Sequence, residues 1–221
     1  MQVLNDNNLI LLVRATPGSA PAVDALNRAS RMLRESSGEL VVFFHGAGVE
    51  HACAPNAAEW SPLAARGARL EVCRAAWQRR HDDEPDSAFI SSSLVSFWHR
   101  VASDHQLACC GQGQHASGEL PGRGWVIEVT APPSDPDSRE ILELVLAGAS
   151  LELPLAVIFR DHGCSHLTGA EARGWRQLVD FELAELYHCC SEGGESDIAA
   201  TPLSRDRAER LCETARGVIS T

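Results

Sequence analysis

The sequence predicts an α/β protein built from two tandem three-layer domains, each with a mainly parallel sheet between helices. Two observations carry this. The runs Val41–Phe44 and Ala156–Phe159 are short, continuous and apolar, as central strands covered on both faces must be, and they alternate with helical stretches. The chain also repeats itself. Leu40–His51 (LVVFFHGAGVEH) lies over Leu155–His166 (LAVIFRDHGCSH), with Leu, Val, Phe, Gly and His recurring at an offset of about 115. Extended upstream without a gap, the same offset sets Leu9–Thr16 over Gly124–Ala131 and Pro17 over Pro132.

The elements follow in order. Leu9–Val13 reads as the first strand. Ser19 is placed to cap a helix with Pro21 in its first turn, and Val23, Leu26, Ser30 and Leu33 share one helical stripe. After the second strand, a helix over Ala57–Arg66 is stopped by Gly67. Arg69–Cys73 is a third strand, Leu94, Phe97, Trp98 and Val101 mark a helix, and Leu107–Cys110 is a last strand. Gly111–Gly124 is polar and glycine-rich, which predicts domains over 1–112 and 124–221 joined by a linker at 113–123. Gly111-x-Gly113-x-x-Ala116 has the spacing of a dinucleotide fingerprint, but Gly118, Pro121 and Gly122 leave no room for the helix that motif needs.

Composition narrows the function. The 221 residues carry a net charge of −11, which repels phosphate backbones and argues against direct nucleic-acid binding. All basic side chains are arginine, so a lysine Schiff base and a Walker-type phosphate loop are excluded. No apolar run approaches a membrane span, and the N-terminus lacks a basic region before its apolar stretch. These features predict a cytoplasmic protein whose eight cysteines are reduced. No C-x-x-C spacing occurs, so neither a zinc ribbon nor a thioredoxin motif is expected. Cys53 and Cys164 do stand near His51 and His166, but two ligands in each of two domains are too few, and no metal or organic cofactor is predicted.

Cys73 is the thiol best placed for chemistry. It closes a strand at its carboxyl end, where open α/β sheets gather their ligands, and it precedes a helix start with Arg74, Arg79 and Arg80 nearby. A helix start and cations both favour a thiolate, the form that attacks sulfur. A small buried hydrophobe at a strand end is the other reading of the same residue. His45 and His51 follow the second strand on the same edge, where either could take a proton from the thiol.

The first half resembles the DsrE/TusD-type sulfur-relay subunit. The likeness lies in Leu12–Ser19, in Val42–Ala52 (VFFHGAGVEHA) and in Glu71–Arg80 (EVCRAAWQRR). It implies that Cys73 accepts sulfane sulfur as a persulfide. The second half resembles the companion DsrF/TusC-type subunit through Leu155–Leu167, Phe181–Tyr187 (FELAELY) and Ala200–Leu203 (ATPL). In the family these are separate chains, and here they look fused. The stretch from Tyr187 to Thr201 is shorter than the family pattern and lacks a crossover helix, and His81 replaces the motif glycine.

The resemblance implies two tandem DsrE-like α/β/α domains acting as a sulfurtransferase subunit. Its implied partners are a TusA-like donor, a DsrH/TusB-like subunit and a DsrC/TusE-like acceptor, in an oligomer. The implied destination is 2-thiouridine in tRNA, with sulfur oxidation as the related branch. Cys189 and Cys190 fall near the place that corresponds to Cys73 under the repeat and form a candidate second thiol site. Two other readings stand beside the carrier: a non-catalytic assembly subunit with structural cysteines, and a redox sensor using the pairs Cys109/Cys110 or Cys189/Cys190.

Overall fold

The computed structural model describes residues 8–103, 105–110, 124–190 and 196–220. The linker expected at 113–123 and the Gly111–Ala116 segment lie outside the described residues. The chain divides into two compact units, Met1–Gln112 and Gly113–Thr221.

The first unit has five strands: β1 (Asn8–Val13), β2 (Leu40–Phe44), β3 (Arg69–Cys73), β4 (Phe89–Ser92) and β5 (His105–Cys110). They lie in the order β4-β3-β2-β1-β5 and every neighbouring pair is parallel. Helices α1 (Ala20–Glu35), α2 (Ala57–Ala64), α3 (Arg74–Gln78) and α4 (Leu94–Ser103) make the crossovers. The second unit has β6 (Trp125–Val129), β7 (Leu155–Phe159), β8 (Glu185–His188), β9 (Thr201–Pro202) and β10 (Gly217–Ser220), with α5 (Ser138–Ala149), α6 (Ala172–Asp180) and α7 (Arg205–Glu213). Its order, β10-β6-β7-β8-β9, is the same topology, again all parallel. The expected α/β class with two parallel sheets flanked by helices is what the chain forms. Between β8 and β9 no helix occurs among the described residues.

Each sheet is dry at its centre. All five residues of β2 and of β7 are buried, so their side chains on both faces are covered. The apolar runs were legible for that reason. The face of α1 is a correction. Its buried residues are Ala22, Ala25 and Ala29, whereas Val23 is 52% exposed. Alanines let a helix sit close to the sheet, and that close face excludes the larger Val23. Ser19 caps the helix as expected, accepting from the Ala22 amide at 3.3 Å. β4 (FISS) was not foreseen, because a four-residue edge strand with two serines has no apolar run.

The repeated motif folds the same way twice. After β2 and after β7 the chain makes a 3-10 turn, Gly46–Ala52 and Asp161–Leu167. In each, a buried histidine ties three segments together. His51 Nε2 donates to the Ala15 carbonyl at 3.1 Å, while its Nδ1 accepts from Trp60 Nε1 at 3.0 Å. His166 makes the matching bonds to Ala131 (3.2 Å) and Trp175 (3.3 Å). Both tryptophans meet a phenylalanine edge-on at 4.8 Å, Phe44 in one unit and Phe159 in the other.

Gly48 and Gly163 are required by close approach. A Cβ would stand 2.2 Å from the Val13 carbonyl oxygen in the first case and 1.9 Å from that of Val129 in the second. These pairings correct the upstream alignment. Val13 pairs with Phe44 and Val129 with Phe159. The first strands are therefore related by one residue more than the second strands, and the repeat carries a one-residue gap in its first crossover.

Candidate functional site

The carboxyl edge of the first sheet is assembled by register. Val13 pairs with Phe44, Phe44 with Val72, and Cys73 with Ser92. One residue further along, Arg14, His45, Cys73 and Ser92 stand side by side. Alternation along the strands puts His45 and Cys73 on the face of Phe43 and Glu71. That face is the one α4 covers: Phe97 packs on Phe43 with ring centres 4.9 Å apart, and Arg100 donates to Glu71 at 2.9 Å.

Cys73 is the last residue of β3 and the residue before α3, with extended backbone. Its thiol is only 1% exposed. A carrier thiol was expected to be reachable, and in the folded chain it is covered. The helix behind it has only five residues, about one turn, so it supplies little of the expected dipole.

His45 is 1% exposed, and neither of its ring nitrogens has a hydrogen-bond partner among the described residues. Burial first, and then the charges of Arg14, Arg80 and Arg79, hold its pKa well below the usual 6.5. It is a neutral imidazole with a free acceptor beside Cys73. Arg74, by contrast, is exposed, and the cations that bear on His45 are Arg14, Arg79 and Arg80. The sequence did not single out Arg14, although any residue directly after a central parallel strand must face the same edge as Cys73. His51 has both nitrogens committed to Ala15 and Trp60, so it serves as a strut.

A second cluster lies in the loops beyond the same edge. His81 Nε2 is 3.1 Å from Glu50 Oε1 and 3.6 Å from Cys53 Sγ, and Cys53 Sγ donates to Glu50 Oε2 at 3.6 Å. Trp77 of α3 stacks on His81 with ring centres 4.1 Å apart. Burial, followed by the charge of Glu50, pushes the Cys53 thiol up to about 11. His51, read from the sequence as the neighbour of Cys53, points instead into the core, and His81 takes its place.

In the second unit Phe159 pairs with His188, so the next residue, Cys189, occupies the position of Cys73. Arg160 stands where His45 does and is paired with Glu128 at 2.9 Å. Burial raises the Cys189 pKa above its usual value. Cys212 faces the same acid, and burial with the Glu128 charge pushes its thiol up to about 12. Cys190 is not a thiol. It forms a disulfide with Cys164 across 26 residues, which corrects the expectation that all eight cysteines are reduced. Their loops leave the ends of β7 and β8, and that adjacency brings the two Cα atoms to 5.9 Å. The side chains of Cys109 and Cys110 lie outside the described residues. A hollow at the amino ends of β6, β7 and β8 is lined by no cysteine.

The carboxyl edge of the first unit thus lines up a thiol, an imidazole and arginines. The profile of the DsrE/DsrF-like family matches residues 7–104, nearly the whole first unit, which makes that unit DsrE/DsrF-like. Proteins of this family work in sulfur-relay complexes. Neither the curated proteins nor the solved structures contain a significant match to the chain. No described helix is long and apolar enough to cross a membrane.

Proposed function

We propose that the first unit carries sulfane sulfur on Cys73. The observation that supports this is the register that sets Cys73 beside His45, within reach of the charges of Arg14, Arg79 and Arg80. His45 takes the thiol proton. The Cys73 thiolate attacks the outer sulfur of a donor persulfide, a new S–S bond forms, the donor's S–S bond breaks, and the donor leaves as a thiolate. The Cys73 persulfide is an anion, which the three arginines stabilise. An acceptor thiolate then attacks its outer sulfur and Cys73 leaves as the thiolate. No redox co-reactant is consumed.

The second unit is the DsrF/TusC-like half of a fused pair, with Cys189 as its own candidate thiol. We place the protein in the cytoplasm, as one part of an oligomeric relay towards tRNA 2-thiouridine. A TusA-like protein is its donor, a DsrH/TusB-like subunit its partner and a DsrC/TusE-like protein its acceptor. The sulfur-oxidation branch would use the same chemistry.

Burial of Cys73 favours one other reading, an assembly subunit whose cysteines are structural. Mass spectrometry of the intact chain after incubation with a persulfide donor separates the two. The carrier gains one sulfur on Cys73 and passes it to an added thiol, and Cys73→Ser does not. An assembly subunit gains none at this position, and that result would reject the carrier.

A further inference from the structure

We propose that Glu50, Cys53 and His81 form a site for a thiophilic divalent cation of the zinc class. Their ligand atoms all lie within 4.8 Å of one another. Tetrahedral zinc, with bonds of about 2.0 Å to nitrogen and oxygen and about 2.3 Å to sulfur, sets its ligand atoms roughly 3.3–3.6 Å apart. The observed separations are 3.6 Å from Cys53 Sγ to His81 Nε2, 3.6 Å from Sγ to Glu50 Oε2 and 3.1 Å from Nε2 to Glu50 Oε1. The three donors stand at nearly the separations of a tetrahedral face, with the Glu50 carboxylate turning one oxygen to each neighbour.

Direction matters as much as distance. In a Cys-His-Glu catalytic triad the acid holds one ring nitrogen and the thiol faces the other. Here Glu50 and Cys53 both face Nε2 of His81, which is the arrangement of three donors around a common point. The donors come from two segments. Glu50 and Cys53 are three residues apart at the end of a 3-10 turn, and His81 is fixed above them by its stacking on Trp77. The His81 side chain is 20% exposed and that of Glu50 35%, so an ion can enter from solvent. Asp83 adds negative charge near Cys53.

The donor set is one thiolate, one imidazole and one carboxylate, which suits zinc better than the all-oxygen ligation of magnesium or calcium. On binding, the Cys53 S–H bond breaks, its proton passes to solvent and the sulfur bonds the metal. Three protein ligands leave the fourth position for water or an exchangeable thiolate. The site is separate from Cys73, and it stands or falls independently of the persulfide proposal.

The test is Co²⁺ titration of the full, untagged chain, reduced and metal-free. The expected result is one Co²⁺ per chain with tetrahedral d–d absorption and a thiolate-to-cobalt charge-transfer band, both displaced by Zn²⁺. Cys53→Ser should lose the charge-transfer band while keeping the native circular dichroism. Glu50→Gln, the milder change, should weaken binding at least tenfold, and Cys189→Ser and Cys212→Ser should bind as the wild type. Absence of tetrahedral Co²⁺ binding would overturn the site, as would a charge-transfer band that survives Cys53→Ser and disappears in Cys189→Ser.

Discussion

His45 shows how a single side chain can be both a liability and a tool. It is buried, neutral and surrounded by arginine charge. Its folded pKa lies below the unfolded value of about 6.5, so below that pH the unfolded chain binds a proton that the folded chain does not. The stability it leaves intact at neutral pH is therefore lost as pH falls from about 6.5 towards the folded value, by up to roughly 1.4 kcal/mol per pH unit. His51 and His166, whose pKa values burial also lowers, add to the same trend. Urea midpoints at neutral pH and one unit below the histidine value should show this loss. His45→Asn should recover about 1 kcal/mol of it at the lower pH. An unchanged pH slope in that variant would mean that His45 is not held neutral. Gly48 gives a second test at this scale. Its missing Cβ is what allows the turn to touch the Val13 carbonyl, so Gly48→Ala should cost about 3 kcal/mol by overpacking, read as a lowered denaturation midpoint.

Among the elements, what was legible in the sequence and what was not divide on physical grounds. β2, β7 and α4 were legible because burial on both faces, or on one helical stripe, writes a long apolar pattern. Cys73 and His45 were legible because a strand end is. β4 was not, since an edge strand needs few apolar residues. The cluster of Glu50, Cys53 and His81 was not, because it depends on a loop folding back across 31 residues, which leaves no local spacing to read. The Cys164–Cys190 bond was hidden for the same reason. It pins the loop after β8, which holds Cys189, to the turn after β7. Closing a loop of 26 residues should contribute about 3 kcal/mol by restricting the unfolded chain. Cys164→Ser should lower stability by that amount under non-reducing conditions and by nothing measurable once the wild type is reduced. Equal stability of the two proteins without reductant would mean that the bond does not form.

For the whole molecule, one topology is used twice with different thiol environments at the same place. Cys73 is buried beside an uncharged histidine, whereas Cys189, its counterpart, is half-buried beside an arginine already paired with glutamate. A thiol census of the intact chain should follow this difference. With a mild alkylating reagent and no reductant, Cys53 and Cys189, both partly exposed, should label first among the described thiols, and faster as pH rises, since burial raises both pKa values. Cys73 and Cys212, both buried, should label at least tenfold more slowly, and Cys164 and Cys190 only after reduction. A relay needs Cys73 to open towards its donor. Adding a persulfide-bearing donor protein should therefore speed labelling of Cys73, or replace it by a sulfur adduct, while Cys212 stays slow. If Cys73 and Cys212 respond alike, the donor is loosening the fold rather than opening a site. If Cys73 stays as slow with the donor as without it, the thiol is a core residue, and the assembly role becomes the better account of the first unit.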